Sequence, residues 1–277
     1  MKSRAGQLIS VWTTFAALTV VAPAVLWAQE GTGTAAEQPA EGAAGELSAD
    51  EIVDRSLDTN TMGFQAGDVQ LSVIIQDNHG DVRERRIRIR SREEDGQNRA
   101  LVRILAPAEV AGQSYLFMEN EGGEDDVWIY LPALDDEPRR VAGSQKDESF
   151  MGTNITYSDL ESGDIRDAEY ERHEDETIGG FPVYVIDATS ADSTYSSVRM
   201  WIRQSDYIPL RIRFFGDGGV EEKTMFTEQV DTHQGRTYVR RMTVRDREDN
   251  ATTLVVEAVD FEADIDLSEF TRENLVR

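Results

Sequence analysis

Histidines, cysteines and paired carboxylates are the side chains that most often carry catalysis, and this sequence uses them sparingly or without pattern. It contains no cysteine, so thiol chemistry is excluded. Its three histidines, His79, His173 and His233, stand in turns or acidic stretches without a partner at metal-ligand spacing. We therefore predict loop histidines, no metal site and no cofactor.

Carboxylates are too abundant for any pair of them to identify an active site. The 53 acidic residues include the clusters 124–126 and 135–137, neither of which has the spacing of a Ca²⁺ loop. Solvated acidic loops are the simpler interpretation, although a glycosidase pair stays open at this point. No nucleophile-elbow, zinc-protease, dinucleotide or phosphate-loop motif occurs, so the sequence predicts a protein that is not an enzyme.

The charge balance narrows the class of partner. The chain carries 28 basic and 53 acidic residues, for a net charge of −25. Such a charge opposes binding to nucleic acid and to anionic membrane surfaces. Only Lys2, Lys146 and Lys223 are lysines, and this acidic, lysine-poor balance suggests a halophilic source, because salt screens the self-repulsion.

The N-terminal region predicts export. Residues 1–28 run from a positive start through an apolar stretch to Trp27-Ala28, the order of a secretory signal peptide, with an uncleaved anchor as the alternative. Residues 29–47 are small and polar and predict a flexible leader, which leaves 48–277 as one domain. Because no cysteine follows the signal segment to carry lipids, we expect a periplasmic protein without a lipid anchor.

One helix and many strands are expected in the domain. Ser48 and Glu51 form a capping box before an apolar stripe, and two short helices are predicted to begin at Ser158 and Asp266. From Val69 onward, apolar and polar residues alternate in about 10–11 segments separated by short turns. The fold class is therefore mainly β, a meandering sheet or barrel. If helices cover its concave face only in part, an apolar cavity remains for a ligand.

An arginine-rich strand admits two interpretations. Arg86, Arg88, Arg90 and Arg92 share one strand face, since side chains alternate along a strand. The simpler hypothesis pairs them with acids on neighbouring strands. The other makes them a site for an anionic partner.

The segment 107–160 is the most distinctive part of the sequence. It contains W-x-Y-L-P at 128–132, the pair Arg139-Arg140, S-F-M-G-T-N at 149–154 and Y-S-D-L at 157–160. Trp128 and Tyr130 share a strand face, whereas Phe150 and Met151 fall in a loop. Apolar loop residues of this kind mark a lid or a contact, or simply cap the core.

This series of motifs resembles the outer-membrane lipoprotein-sorting family, the LolA-like proteins of Gram-negative bacteria, over about residues 50–277. The residues that carry the resemblance include Pro132, Arg139, Arg140, Gly152, Asn154, Tyr157 and Asp159. The resemblance implies an incomplete antiparallel β-barrel with a few helices covering its concave face. It also implies a periplasmic carrier that hides acyl chains of lipoproteins or other lipids and shuttles them toward the outer membrane.

The roles implied by this resemblance are hypotheses about particular residues and partners. The cavity or lid is expected to include Leu71, Val73, Ile75, Trp128, Tyr130, Phe150 and Met151. The implied partners are an inner-membrane transporter, in the branch that serves lipid exporters, and an outer-membrane acceptor. The alternative is a periplasmic sensor that binds lipoprotein and a protein partner in envelope stress signalling.

Overall fold

The computed structural model describes residues 47–59, 67–120, 125–160, 168–191 and 193–277. Residues 46–277 form one compact unit. The expected signal peptide and nearly all of the leader lie outside the described residues. Within the described ranges, no helix has the length and apolar character needed to cross a bilayer.

Helix α1 spans Ala49–Asp58 and begins at the predicted capping box. The Ser48 hydroxyl accepts a hydrogen bond from the Glu51 amide, and the Glu51 carboxylate accepts one from the Ser48 amide. These reciprocal bonds satisfy amides that a helix start otherwise leaves unpaired. The capping also lowers the pKa of Glu51. Ile52 and Val53 form the buried face of the helix.

The described residues form one antiparallel sheet of 14 strands. The strands are β1 Gly67–Gln76, β2 Val82–Glu94, β3 Gln97–Ala106, β4 Ser114–Met118, β5 Asp126–Tyr130, β6 Arg139–Val141, β7 Glu169–Arg172, β8 Glu176–Ile178, β9 Phe181–Thr189, β10 Ser197–Arg203, β11 Pro209–Phe215, β12 Glu221–His233, β13 Arg236–Asp246 and β14 Ala251–Asp260. Their order is β6-β5-β4-β3-β2-β1-β14-β13-β12-β11-β10-β9-β7, with β8 also paired to β9. The sheet is open, because β6 and β7 lie at its opposite ends.

The predicted mainly β architecture is confirmed, but the count of 10–11 strands is too low. The three strands that were missed are β6, β7 and β8, which have three or four residues each. They pair at or near the sheet ends and are rich in charged residues, as in Glu169–Arg172. Short charged edge strands carry no apolar alternation, so a search for period two does not find them.

One side of the sheet, here called the aliphatic face, is predominantly apolar. Cross-strand pairing places its members opposite one another on successive strands: Ile186, Met200, Ile212, Met225, Val244, Thr252 and Ile75 on one half. The other half continues with Leu71, Ile87 and Ile104, and with Val102, Tyr115 and Ile129. The register therefore joins apolar residues from ten strands, β1–β5 and β9–β13, and Thr252 of β14 into one surface.

The opposite side, the arginine face, carries the alternate residues. On β2 these are Arg86, Arg88, Arg90 and Arg92, as the sequence predicted. Arg88 and Arg90 both contact the carboxylate of Asp68, so the acid-pairing hypothesis holds for these two. Arg90 also pairs with Glu269 of the C-terminal segment, defined as residues 262–277.

Short helices and irregular segments cover much of both faces of the sheet. On the aliphatic face, α1 packs on Ile186 and Ile202 of β9 and β10. The helix expected at Ser158 is a single 3₁₀ turn, Ser158–Leu160. The helix expected at Asp266 is a 3₁₀ turn, Leu267–Glu269, followed by α2, Arg272–Leu275. Asp266 does cap this turn, since its carboxylate accepts from the Ser268 amide.

Candidate functional site

Residues 149–160, here called the strap, cross the aliphatic face. Phe150 packs edge-on against Tyr115, with ring centroids 4.8 Å apart, and against Tyr157 at 5.5 Å. Burial raises the pKa of Tyr115 and raises that of Tyr157 to about 12. The interior beneath the strap is therefore apolar enough to disfavour charge.

The sharp turn of the strap depends on left-handed backbone. Met151 has φ 54° and Gly152 has φ 69°. Glycine adopts this region without cost, which explains its place in the S-F-M-G-T-N motif. The Met151 carbonyl accepts a hydrogen bond from Arg85, a β2 residue on the aliphatic face. Burial lowers the pKa of this guanidinium.

Asn154 ties the middle of the strap to the β13–β14 hairpin. Its amide nitrogen Nδ2 donates to the carbonyls of Val244, at 3.2 Å, and Asn250, at 2.9 Å. Its backbone N–H donates to Thr252 Oγ1 at 3.3 Å. These three bonds fix one strap residue to both strands of the hairpin and to its turn.

Asp159 ties the end of the strap to the other half of the sheet. Lys223 Nζ of β12 lies 2.5 Å from Asp159 Oδ2, and the Tyr195 hydroxyl donates to Oδ1 at 2.6 Å. The side chains of Asp159 and Lys223 are 11% and 13% exposed, so this ion pair is largely withdrawn from water. The Thr156 amide donates to the same carboxylate at 2.7 Å.

A narrow apolar cleft remains open beside this ion pair. Its floor consists of aliphatic-face residues of β9, β10 and β11, and its rim includes Asp159 and Tyr195. The lining comprises Ser158, Asp159, Ala168, Ala188, Ser190, Ser193, Tyr195, Val198, Met200, Ile212 and Phe214. Its volume is about 80 Å³. Small-molecule sites usually have about 300–1,000 Å³, so a long ligand enters only if the strap moves.

A larger cavity of about 480 Å³ lies where α1 ends, bordered by Asp58, Asp206, Tyr207 and Arg236. The remaining lining residues are Thr59, Ile208 and Thr237, so charged and hydroxyl side chains make up most of the border. An acyl chain gains free energy by leaving water for apolar surroundings, and this border offers fewer of them than the cleft does. The cleft on the aliphatic face is therefore the better candidate.

The C-terminal segment covers part of the arginine face. Phe270 and Leu275 are buried there against Leu101 and Leu116, with Trp128 packed alongside. Arg272 lies over the Trp128 ring, 4.7 Å from its centroid. Three side chains also bond to carbonyls of this segment: Arg92 to Ile265, Arg103 to Asn274 and Arg277, and Ser114 to Leu275.

The expected cavity and lid residues fall on both faces. Leu71, Val73 and Ile75 are buried on the aliphatic face in the same cluster as Phe150 and Met151. Trp128 and Tyr130 lie on the arginine face with the C-terminal segment. The seven residues therefore do not share one face, and Val127 and Ile129 are the β5 residues that face the strap. Lipid contact by any of them stays a prediction.

The motif residues also divide into two groups. Gly152, Asn154, Tyr157 and Asp159 belong to the strap and its attachments. Pro132 follows β5 and lies next to Gly112, where an added Cβ would be 3.7 Å from its ring. Arg140 pairs with Asp126 at 2.6 Å. Arg139 lies 3.7 Å from Asp135. The second group stabilises the β5–β6 edge.

Sequence reasoning missed the residues of the cleft and its ion pair, notably Tyr195, Met200, Ile212 and Lys223. The single available signal was Lys223, a lysine in a chain whose cations are nearly all arginine. Among the histidines, His79 and His233 are exposed, and His173 lies 2.9 Å from Asp187. No cluster of three or more potential metal ligands occurs in the described ranges.

Comparison with known proteins assigns this fold. A family model described as "-like: Uncharacterized protein" matches residues 96–277, or 182 of the 277 residues. The chain belongs to that family. No curated protein matches the sequence.

Three solved structures share the fold of this chain. An outer-membrane lipoprotein-sorting protein domain from Vibrio parahaemolyticus is 24% identical, with a TM-score of 0.76 over 83% of this chain and 98% of that one. A DUF1329 family protein from Desulfovibrio piger is 23% identical, with a TM-score of 0.74 over 82% and 97%. A LolA superfamily protein from Nitrosomonas europaea is 20% identical, with a TM-score of 0.66 over 82% and 99%.

These likenesses establish the LolA-like fold of this chain. The fold implied by the resemblance of the W-x-Y-L-P, S-F-M-G-T-N and Y-S-D-L motifs is thereby confirmed. The strap and the open sheet described above are the local form that this fold takes here.

Proposed function

We propose that this protein is a periplasmic carrier, not an enzyme, that binds acyl chains of lipoproteins or other lipids on its aliphatic face, beneath the strap. It takes the chain from an inner-membrane exporter and passes it toward an acceptor at the outer membrane. The observation that carries this proposal is the continuous aliphatic face, covered by an irregular segment instead of a second sheet.

The manner in which the strap is attached supports this proposal. It is attached to the rest of the protein by polar contacts at three separated points: the Met151 carbonyl with Arg85, the Asn154 side chain, and the Asp159 carboxylate. None of the 14 strands of the described sheet includes it. The chain between these points lies on apolar side chains without directional bonds to the sheet. Segments held in this way open at lower free energy than a packed sheet does.

An acyl chain can replace what the strap contributes. The strap buries Phe150, Met151, Ile155 and Tyr157. Full burial of such side chains contributes about 1.5–3 kcal/mol each, or roughly 6–12 kcal/mol for four. Each buried methylene contributes about 0.8 kcal/mol, so a chain of about 8–15 methylenes offsets removal of the strap. Natural acyl chains fall in this range or exceed it.

The proposed location agrees with composition. Export through a cleaved signal peptide at 1–28, followed by a leader at 29–47, would deliver a domain of 48–277 to the periplasm. The net charge of −25 becomes −27 once Lys2 and Arg4 leave with the signal peptide, and it keeps such a carrier from adsorbing to anionic membrane surfaces between donor and acceptor. The carrier needs no cofactor, because no bond is made or broken.

Native mass spectrometry with lipid extraction tests the proposal on protein purified from the periplasm of a Gram-negative host. Ile212→Asp places a charge on the aliphatic face in the cleft. Val255→Asp is the matched control, because Val255 is half-buried on β14 but lies opposite Arg241 on the arginine face.

We expect acyl lipid to co-purify with the unmodified protein and with Val255→Asp, and to be absent from Ile212→Asp. A lipid-free unmodified protein that also fails to take up the fluorescent probes parinaric acid and methyl parinarate would overturn the carrier function.

A further inference from the structure

The ion pair at the end of the strap lies where a ligand headgroup would enter the cleft. Asp159 and Tyr195 form part of the cleft rim, and Lys223 reaches the same carboxylate from β12. Lys223 is on the aliphatic face, because it lies opposite Phe214 of the cleft floor. The Lys223 ammonium group therefore lies beside the apolar floor of the cleft. It is paired with the Asp159 carboxylate, which belongs to the strap.

The groups that donate hydrogen bonds to the Asp159 carboxylate could donate equally to the carboxylate or phosphate of a ligand. Lys223 Nζ at 2.5 Å and the Tyr195 hydroxyl at 2.6 Å both donate to its carboxylate. Lys223 also lies 5.6 Å from the centroid of the Tyr195 ring. Lys223 belongs to β12, and Tyr195, in the loop before β10, packs on Phe214 of β11 with ring centroids 5.0 Å apart, so both donors are held from outside the strap. When the strap leaves, this pair of donors stays behind.

We propose that Lys223 and Tyr195 form a headgroup site for an anionic acyl ligand, whose carboxylate or phosphate replaces that of Asp159. The inference rests on the proposed carrier function and names the class of ligand and the point of entry. Replacement of Asp159 frees the Ser158–Leu160 turn, and this exposes Met200, Ile212 and Phe214 to the acyl chain. Ligand entry and strap release are then one event.

Exchange of one anion for another explains why the site selects for charge. Breaking a largely buried ion pair without compensation leaves a cation without a partner, which is strongly unfavourable. An anionic headgroup restores the pair, whereas an ester headgroup does not. Hydrogen bonds to charged groups are worth enough for a difference of about tenfold or more in affinity.

The lysine side chain suits this exchange. An ammonium group on a flexible stem can turn from Asp159 to a ligand without a fixed geometry. The Asp159 carboxylate keeps its bond from the Thr156 amide, so it moves with the strap without losing every partner.

Titration with parinaric acid and its methyl ester tests the proposal, because the two probes share one acyl chain and differ in the charge of the headgroup. The unmodified protein should bind the acid about tenfold more tightly than the ester. Asp159→Asn removes the competing carboxylate and should strengthen acid binding. Lys223→Met should abolish the preference for the acid, and Lys223→Arg should retain most of it.

Two further variants keep this test independent of folding defects. The double variant Asp159→Asn/Lys223→Met removes both charges together and should fold, yet show no preference between acid and ester. Arg241→Met makes the same change of charge on the arginine face, where Arg241 pairs with Glu228 at 2.6 Å, and should keep the preference.

Competition identifies the headgroup. Palmitate that displaces bound parinarate more strongly than lysophosphatidic acid assigns a carboxylate ligand, and the reverse order assigns a phosphate. Equal affinity of acid and ester in the unmodified protein, or a preference that survives in Lys223→Met, overturns the headgroup site while leaving the carrier function intact. Binding of neither probe overturns both.

Discussion

The strap and the C-terminal segment both cover apolar surface of the same sheet, but they are held in different ways. The strap is attached at three separated points over a face that still contains a cleft. The C-terminal segment is held by Arg90, Arg92, Arg103 and Ser114, and it buries Phe270 and Leu275 to 3% and 1% exposure.

This difference indicates which cover moves. Bonds from side chains of the sheet to backbone carbonyls hold the C-terminal segment along its length, so it opens only with the sheet beneath it. The strap can detach as a unit and leave the sheet hydrogen bonds intact. We therefore expect the strap to be a low-stability unit and the C-terminal segment to belong to the core.

The largest contrast is expected from truncating one buried phenylalanine in each cover. Phe270→Ala should lower the free energy of unfolding by about 3–5 kcal/mol, the usual cost of such a cavity. Phe150→Ala should cost clearly less, because its effect cannot exceed the free energy that opens the strap. Chemical denaturation of both variants measures the two losses, and equal losses would remove the distinction between the covers.

Arginine replacement should give a smaller contrast. Arg103→Met leaves the Asn274 and Arg277 carbonyls without that donor and should cost about 1–3 kcal/mol, with faster removal of the C-terminus by carboxypeptidase. Arg85→Met loses a bond to one carbonyl, whereas Arg103→Met loses bonds to two. Burial lowers the pKa of both guanidinium groups, so relief of cation burial does not separate the two variants. The free energy of unfolding of Arg85→Met should change by less than that of Arg103→Met. If Arg85→Met were the more destabilised variant, the strap would be part of the core.

Asn154→Ala should loosen the strap alone. It removes two side-chain hydrogen bonds, at about 0.5–1.5 kcal/mol each, so hydrogen exchange of the strap amides should accelerate about tenfold. The Phe150 and Thr153 amides report on the strap, because both bond within it. The Phe270 and Asn274 amides serve as the control and should keep their rates; a parallel acceleration there would show that the two covers open together.

The smallest effect concerns acid pH and the C-terminal segment. A backbone hydrogen bond from Ser268 lowers the pKa of Asp266 below its ordinary value. Because its pKa is lower in the folded state, the Asp266 carboxylate stabilises the folded protein at pH values above its ordinary pKa of about 4. This stabilisation is lost as the pH falls through the folded-state pKa. Exchange of the Ser268 amide, corrected for intrinsic rate, should therefore accelerate below about pH 4. Asp266→Asn should show no such pH dependence, and the same acceleration in that variant would assign it to another group.

The alternation of apolar and polar residues along the chain predicts most strands of this sheet, but it does not predict which face of the sheet each side chain lies on. The residues 69–75 and 127–130 alternate clearly, so both were recognised as strands. Alternation shows that Trp128 and Tyr130 share a face, but only the pairing of Leu116 with Trp128 shows that this face is not that of Leu71. Sheet register is a long-range property, and a single sequence contains no direct record of it.

The candidate site was predictable in its strap and not in its floor. The S-F-M-G-T-N and Y-S-D-L motifs mark the strap, because its sharp turn and its attachments need those residue types. The partners of Asp159 are Tyr195 and Lys223, which are 36 and 64 residues away. No local pattern joins them, so the ion pair emerges only when the sheet brings β12 beside the strap.

A disulfide across the strap tests most directly whether acyl chains bind beneath it. Asn154 N lies 3.3 Å from Thr252 Oγ1, so Asn154→Cys/Thr252→Cys places one cysteine of the strap next to one of β14. The natural chain has no cysteine, so an oxidised protein with no free thiol identifies the disulfide between strap and sheet. Ser149→Cys/Thr156→Cys is the matched control, because these two residues already pair within the strap.

Uptake of methyl parinarate is then measured before and after reduction. We predict that the oxidised Asn154→Cys/Thr252→Cys protein takes up little probe and that reduction restores uptake, while the control binds the probe in both states. Equal uptake by the oxidised and reduced forms of the locked protein would contradict binding beneath the strap.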